Sequence, residues 1–396
     1  GSDGASPSRC AVRPSSLVRI ACCALLVLAS LAPAQTTTSP ASTKPVRPPT
    51  TPLADKKLIE FGWDEPNTAY MRKHIAAMEE TPFDGCVFHC TYLDEQGKPQ
   101  RFMNAGWGKR AFTDAELQPA LDDLKATPFK RFTHNFHRFN VLPGDVDWFD
   151  DFASIVSNAR LSARIAKEGN ARGILFDIEP YAFNMWDYPK QRDAKTRSWE
   201  EYAAQARLRG REIMTAFQEG YPDLPVLLTF GYSWPLGLTA RENKPLPEVE
   251  IGLLAPFLDG MLDATTGGAT LIEGFERSYG YKDAKKFDDA RTSMLGDDVL
   301  RIVGNTDAYA KHVRLAFGIW MDYDSGKNGW EEAEVSKNYF TPEQFETSVR
   351  KALSLSDEYV WIYTERCKWW DADGKREKLP EAYDAALRRA AAAAGR

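Results

Sequence analysis

The sequence predicts an α/β protein of the (β/α)8 TIM-barrel class, folded as one domain over residues 56–396, and three observations carry that expectation. Eight short apolar runs of strand character recur along this stretch, and amphipathic helical segments separate them. The glycine-rich loop of an open dinucleotide-binding sheet does not follow the first run, where the chain reads Trp63-Asp64-Glu65-Pro66. The runs are 57–63, 85–91, 130–136, 173–179, 226–231, 257–263, 315–322 and 359–365. Helical patterns lie between them, among others at 68–80, 114–125, 148–167, 199–219, 342–355 and 380–394. Alternating strand and helix implies a parallel sheet, because each return needs a crossover, and eight repeats imply closure into a barrel.

The chain before this unit reads differently. Arg9, Arg13 and Arg19 precede an unbroken apolar and small run over 20–31, closed by Ala32-Pro33-Ala34. That is the pattern of a secretory signal peptide, residues 1–34, cut after Ala34. The run is shorter than the ~20 residues a membrane-spanning helix needs. The expectation is a secreted or periplasmic protein with no membrane anchor after cleavage. Residues 35–55 are Thr, Pro and Ser with almost nothing to bury, so a disordered tether is expected there.

The full chain carries a formal charge of −6. Without Arg9, Arg13, Arg19 and Asp3 it holds 47 basic and 55 acidic residues, a net −8. That balance argues against nucleic acid or an anionic membrane as partner. Three cysteines remain, Cys86, Cys90 and Cys367. Cys86 and Cys90 share one expected strand and stand too far apart to bridge, so a disulfide would join Cys90 to Cys367; the alternative is three small buried hydrophobes.

In a parallel barrel, functional groups gather at the carboxyl ends of the strands. Polar residues stand at nearly every such end here: Asp64 and Glu65, His89, Asn135 and His137, Asp177 and Glu179, Tyr232 and Trp234, Asp263, Asp322 and Tyr323, and Glu365. The fourth run is the most informative. Side chains alternate along a strand, so Ile174, Phe176 and Ile178 suit the helix-facing side, while Leu175, Asp177 and Glu179 point to the barrel axis. Two carboxylates are thereby aimed into one site, where one ionised group raises the pKa of the other and keeps it protonated near neutral pH. A proton held in that way suits a general acid that protonates a departing sugar oxygen. On the eighth run the same parity places Tyr359, Trp361, Tyr363 and Glu365 inward.

Catalytic candidates are therefore Glu179, with Asp177 assisting and Glu365 as second carboxylate; Asp322 and Asp263 compete for that second role. Flat aromatic rings are what a sugar ring stacks on, which makes Trp63, Trp234, Trp320, Trp361 and the pair Trp369-Trp370 candidate platforms. His89, Asn135, Tyr181, Tyr232 and Tyr323 complete the expected substrate-binding set.

The run Gly173-Ile174-Leu175-Phe176-Asp177-Ile178-Glu179, followed by Pro180-Tyr181, resembles the fourth-strand signature of chitinase-type glycoside hydrolases, written Asp-x-Glu. The resemblance implies that Glu179 is the general acid, that Asp177 assists, and that a substrate acetamido group acts as nucleophile. It covers about eight residues and departs from the family at Arg172 and Leu175, where earlier aspartates stand. Trp361 resembles the barrel-floor tryptophan of that family, and Trp320-Met321-Asp322-Tyr323 more loosely its substrate-side Met and Tyr. An exported hydrolase of glycosidic bonds, without cofactor, is the expectation.

Two other readings stay open. A non-catalytic carbohydrate-binding barrel would share the fold and the aromatics. A metal-dependent barrel enzyme such as a sugar isomerase would use strand-end acids as ligands, but the His-x-His pair that would end its first strand is absent. No metal site is expected. Long loops at 92–112, 181–198 and 324–341 should shape the cleft.

Overall fold

Eight parallel strands form the barrel: β1 (Lys57–Gly62), β2 (Gly85–Phe88), β3 (Phe136–Asn140), β4 (Gly173–Asp177), β5 (Pro225–Leu228), β6 (Thr270–Glu273), β7 and β8 (Tyr359–Thr364). Strand β7 runs as Val313–Leu315, breaks at Ala316 and resumes as Phe317–Trp320. Its first half pairs with β6 and its second with β8, while β8 pairs with β1, so the sheet closes on itself. This computed structural model describes residues 46–324 and 329–395. The expected signal peptide and the tether as far as residue 45 lie outside the described residues.

The inner layer is apolar and separate from the rest of the core. Ile59, Phe61, Val87, Phe136, Leu175, Leu227, Ile272, Ala316, Tyr359 and Trp361 fill the lumen, while the opposite side chains of the same strands pack on the helices. Parity along β4 is as the sequence predicts: Leu175 belongs to the lumen, Ile174 and Phe176 to the outer layer. Side chains plug the lumen, so chemistry is confined to its mouth.

Ten helices of seven residues or more surround the strands among the described residues: α1 (Thr68–Met78), α2 (Asp114–Ala126), α3 (Ala153–Glu168), α4 (Trp199–Gly220), α5 (Ser233–Glu242), α6 (Leu254–Ala264), α7 (Ala284–Leu295), α8 (Thr306–His312), α9 (Pro342–Leu355) and α10 (Glu381–Ala393). Capping boxes start α4 (Ser198 with Glu201) and α9 (Thr341 with Gln344), each satisfying backbone N–H groups that have no partner inside the helix. No helix among the described residues is long and apolar enough to cross a membrane.

Three expectations are corrected. The run 257–263 is not a strand; it lies inside α6, where Leu254, Phe257, Leu258, Met261 and Leu262 are buried at helical spacing. Glycines let α6 close on α4: a Cβ on Gly210 would stand 2.0 Å from the Phe257 carbonyl oxygen, and one on Gly260 1.9 Å from that of Arg207. The sixth strand is Thr270–Glu273 instead. The third strand is Phe136–Asn140, not 130–136, because Glu79 accepts the N–H groups of Lys130, Arg131 and Phe132 and draws that segment out of the ladder. The folded unit begins before Lys56: Arg47 pairs with Asp357 at 3.2 Å, and the Thr50 N–H donates to the same carboxylate. Of the two readings of the cysteines, the structure has the second: Cys86, Cys90 and Cys367 are free and buried as small hydrophobes.

Candidate active site

Strand β3 places Phe136, Arg138 and Asn140 on the inner side, and Arg138 organises one half of the mouth. Its Nη1 donates to Glu65 Oε2 at 2.6 Å, its Nη2 to Asp177 Oδ2 at 2.5 Å, and its Nε to Asn140 at 2.9 Å. The guanidinium carbon lies 5.0 Å from the centre of the Phe61 ring. Glu65, on the loop after β1, also meets His89 Nδ1 at 3.0 Å. Burial alone would raise Glu65, but the Arg138 charge and the His89 contact overcome it and hold the carboxyl down to about 2. Asp177 is fully buried, and it further accepts the Tyr181 hydroxyl at 2.9 Å and the Glu179 N–H at 3.1 Å.

Above this network stand the half-buried carboxyls. Glu179 follows β4 by two residues, and burial, then the Asp177 charge, push it up to about 7; Glu365 adds to the rise. Glu276, in the short helical turn after β6, is pushed well up by burial and then by Glu179. The two face one another closely enough that ionising one opposes ionising the other, so the pair retains a proton near neutral pH. Tyr279 lies beside Glu276, whose charge adds to burial in raising the tyrosine hydroxyl. Burial likewise raises Glu365, whose Oε1 accepts the Tyr363 hydroxyl at 3.1 Å.

The backbone that delivers Glu276 is strained and held. Phe275 sits in the left-handed region at φ 49°, which a side chain with a Cβ rarely adopts. Its neighbours fix it: Trp361 Nε1 donates to the Gly274 carbonyl at 2.8 Å, the Phe275 N–H donates to Glu273, and the Glu276 N–H donates to the Thr229 carbonyl.

Beneath the carboxyls lies an aromatic layer. Tyr279 and Tyr363 stack at 5.2 Å, Phe61 meets Tyr363 at 5.5 Å, and Trp320 stands edge-on to Tyr279 at 5.7 Å. Trp63 rises at the rim, 57% exposed, with Nε1 donating to the Tyr363 hydroxyl at 3.1 Å. Two cavities open here. One of about 400 Å³ includes Trp63, Glu65, His89 and Trp370 in its lining; another of about 280 Å³ includes Trp234, Arg241, Glu276 and Arg277.

The structure thus brings Asp177, Glu179, Glu365, Trp63, His89, Tyr181, Trp234 and Trp320 to the mouth. It removes others. Asn135 precedes β3, at the far end of the barrel, and accepts the Cys86 N–H at 3.1 Å. Asp263 lies on α6, tied to Arg207 at 2.7 Å. Tyr232 is buried and donates to Asp259 at 2.7 Å. Asp322 is buried as a latch, accepting the N–H groups of Glu365, Arg366 and Cys367 and the Trp320 indole. Tyr323 packs between Trp320 and Tyr339. Trp361 is 1% exposed, sealed below Phe61, Tyr279 and Tyr363, so it offers no open floor. Trp370 is mostly buried, with Nε1 donating to the Asp64 carbonyl, and keeps only an edge on the 400 Å³ cavity. His137 faces the helices and contacts Ser162.

Three residues of the site escaped the sequence reading. Arg138 was legible only with β3 in the right place, since Phe136, Arg138 and Asn140 then alternate inward. Glu276 follows Thr270-Leu271-Ile272-Glu273, a short strand hidden by the apolar run of α6. Tyr279 belongs to the same turn. Among the described residues, no group of three or more His, Cys, Asp or Glu side chains is placed to hold a metal ion.

Fold and site together define a parallel (β/α)8 barrel with three half-buried glutamates over an aromatic layer. No family model matches the chain, and no curated protein does. Among solved structures it is similar to an endocellulase from Pyrococcus horikoshii, solved in complex with cellotetraose, at 10% identity, covering 85% of this chain and 92% of that one, with a TM-score of 0.41. It is also similar to a GH113 β-1,4-mannanase at 15% identity (86% and 99% covered, TM-score 0.42). A psychrophilic family 10 endo-β-1,4-xylanase stands at 10% (83% and 96%, TM-score 0.41). Likeness of this degree carries no argument about activity, which rests on the side chains of this chain.

Proposed function

We propose that the protein is an exported glycoside hydrolase whose working carboxyls are Glu179 and Glu276. The observation that carries this reading is the pair of half-buried glutamates, Glu179 and Glu276, each raised by burial and with the charge of Glu179 raising Glu276, over a layer of aromatic rings. Glycoside cleavage needs one protonated and one ionised carboxyl across a sugar–sugar bond, and flat apolar surfaces to seat the rings. The member of the pair that holds the proton donates it to the departing glycosidic oxygen, and its ionised partner supports the positive charge that grows at the anomeric carbon, attacking directly or through a water. Glu276 replaces Asp263 and Asp322 as second carboxylate, while Glu365 tunes Glu179.

The chitinase-type alternative gives Asp177 the assisting role and the substrate's acetamido group the attack. Asp177 is engaged by Arg138 and Tyr181, and Glu276 supplies a protein carboxyl in place of the acetamido group, so the two-glutamate route is favoured. Export rests on the residues before Ala34. Digestion of a glycan library read by mass spectrometry tests the activity: native protein releases shorter glycans and Glu179→Gln and Glu276→Gln do not. Native turnover retained by Glu179→Gln would sink the assignment.

A further inference from the structure

The 280 Å³ cavity beside Glu276 is lined by Phe230, Trp234, Gly237, Leu238, Arg241 and Arg277 together with Glu276 itself. Its size is near the low end of the roughly 300–1,000 Å³ of small-molecule sites. Trp234 stands edge-on to Phe230 at 3.8 Å and forms its aromatic wall.

Two guanidinium groups reach this one cavity. Arg241 is paired only at the surface, with Glu242 at 3.1 Å, a carboxylate it shares with Lys244. Arg277 Nη1 donates to the Ser233 carbonyl at 3.0 Å, and no carboxylate among the described residues stands within ion-pair distance of it. An arginine that is oriented by a backbone carbonyl, keeps its remaining donors free and borders a cavity is disposed to receive an anion in fork geometry.

Helix α5 is shaped around that group. Gly237 lies in its interior, a position where glycine costs about 1 kcal/mol relative to alanine. A Cβ there would stand 1.4 Å from Arg277 Nη1 and 2.4 Å from Cζ. The glycine leaves the space that the guanidinium occupies.

We propose that this cavity is the subsite of a sugar ring bearing a carboxylate, a hexuronic acid, with the ring against Trp234 and the carboxylate on Arg277 and Arg241. The proposal rests on the glycoside-hydrolase reading and names its substrate class: glycans carrying a uronic acid next to the cleaved bond. A neutral hexose in the same place would leave the Arg277 charge without a counter-charge, and discrimination follows from that difference.

The test separates binding from cleavage. Affinity is measured by calorimetry on full-length Glu179→Gln protein with a hexuronic-acid trisaccharide and a neutral glucose trisaccharide, and cleavage of both is measured on native protein. The uronide should bind at least about tenfold more tightly, with the advantage shrinking as salt screens the charges. Arg277→Gln should cut the uronide-to-neutral affinity ratio by about tenfold. Gly237→Ala should cut it too while keeping the arginine and strengthening the helix, because the added methyl displaces the guanidinium. Equal affinities in the parent, or a ratio unchanged by both substitutions, overturns the subsite. Uronide preference without cleavage of either sugar sustains the subsite and removes the hydrolase reading; cleavage without preference does the reverse.

Discussion

Arg138 and Asp177 form an ion pair at 2.5 Å between adjacent strands, with the arginine side chain 12% exposed and the aspartate fully buried. Glu65 completes the arrangement at 2.6 Å, so one cation holds two acids at the base of the site. Arg138→Met leaves both carboxylates buried without a counter-charge and should cost about 3–5 kcal/mol of stability. Urea denaturation reads the loss, and adding Asp177→Asn with Glu65→Gln should restore most of it. A single substitution that leaves the midpoint unchanged would show that the cation is dispensable.

Glu179→Gln and Glu276→Gln each keep shape and burial while removing the exchangeable proton. Each should lower kcat by about 10²- to 10⁴-fold, the usual contribution of a positioned acid or base. Circular dichroism should find both variants folded, and the double variant should be little slower than either single one, because the two act as a unit.

Glu365→Gln tests the tuning of Glu179. Burial and Asp177 raise Glu179 to about 7, and Glu365 adds to that rise. Without the Glu365 charge the Glu179 pKa falls, so the limb of the pH–rate profile that Glu179 governs should move toward acid. A shift toward alkali, or none, would disconnect the two groups.

Stability should carry its own pH signature from the outer face of β1. Burial raises Asp64 from 3.8 to about 6, and burial with the Asp64 charge drives Glu60 well up. Groups raised on folding add stability that is complete below their unfolded pKa and is lost as pH rises through the folded value. The loss attributable to Asp64 therefore falls around pH 6. Glu60→Gln removes a second raised carboxyl, whose own ionisation on folding is opposed, and should reduce the drop in stability between pH 5 and pH 8 by about 1–2 kcal/mol. Glu65 has the opposite sign: lowered to about 2, its contribution is present above pH 4.5 and is lost only in strong acid. Denaturation midpoints at pH 5 and pH 8 isolate the Glu60–Asp64 effect.

Two acids that the sequence offered as second carboxylates should separate by readout. Asp322→Ala strips the acceptor from three backbone N–H groups at the turn that carries Glu365 and should cost about 2–4 kcal/mol. Asp263→Asn loosens a half-exposed ion pair on α6 with Arg207, a change of about 1 kcal/mol or less, and should leave kcat at the native level.

The sequence by itself determined the barrel class, most helix positions and the inward aim of the β4 acids, because these follow from local periodicity and capping. Leu175 and Asp177 must face opposite to Ile174 and Phe176 on any strand, and Thr341 with Gln344 starts a helix wherever it stands. It did not determine which apolar run was the sixth strand. Residues 257–263 alternate as a strand and also recur at helical spacing, and only packing against Gly210 of α4 selects the helix. With that run misplaced, Thr270–Glu273 and Glu276 behind it went unread. Arg138 was lost in the same way, since Glu79 draws residues 130–132 out of the ladder and shifts β3, exchanging which side chains face inward. Exposure was the other tertiary decision: Trp361 has the chemistry of a sugar platform, but the rings above it seal it from the mouth. Period and capping are properties of neighbouring residues, whereas the company a carboxyl keeps depends on strands that meet only when the cylinder closes.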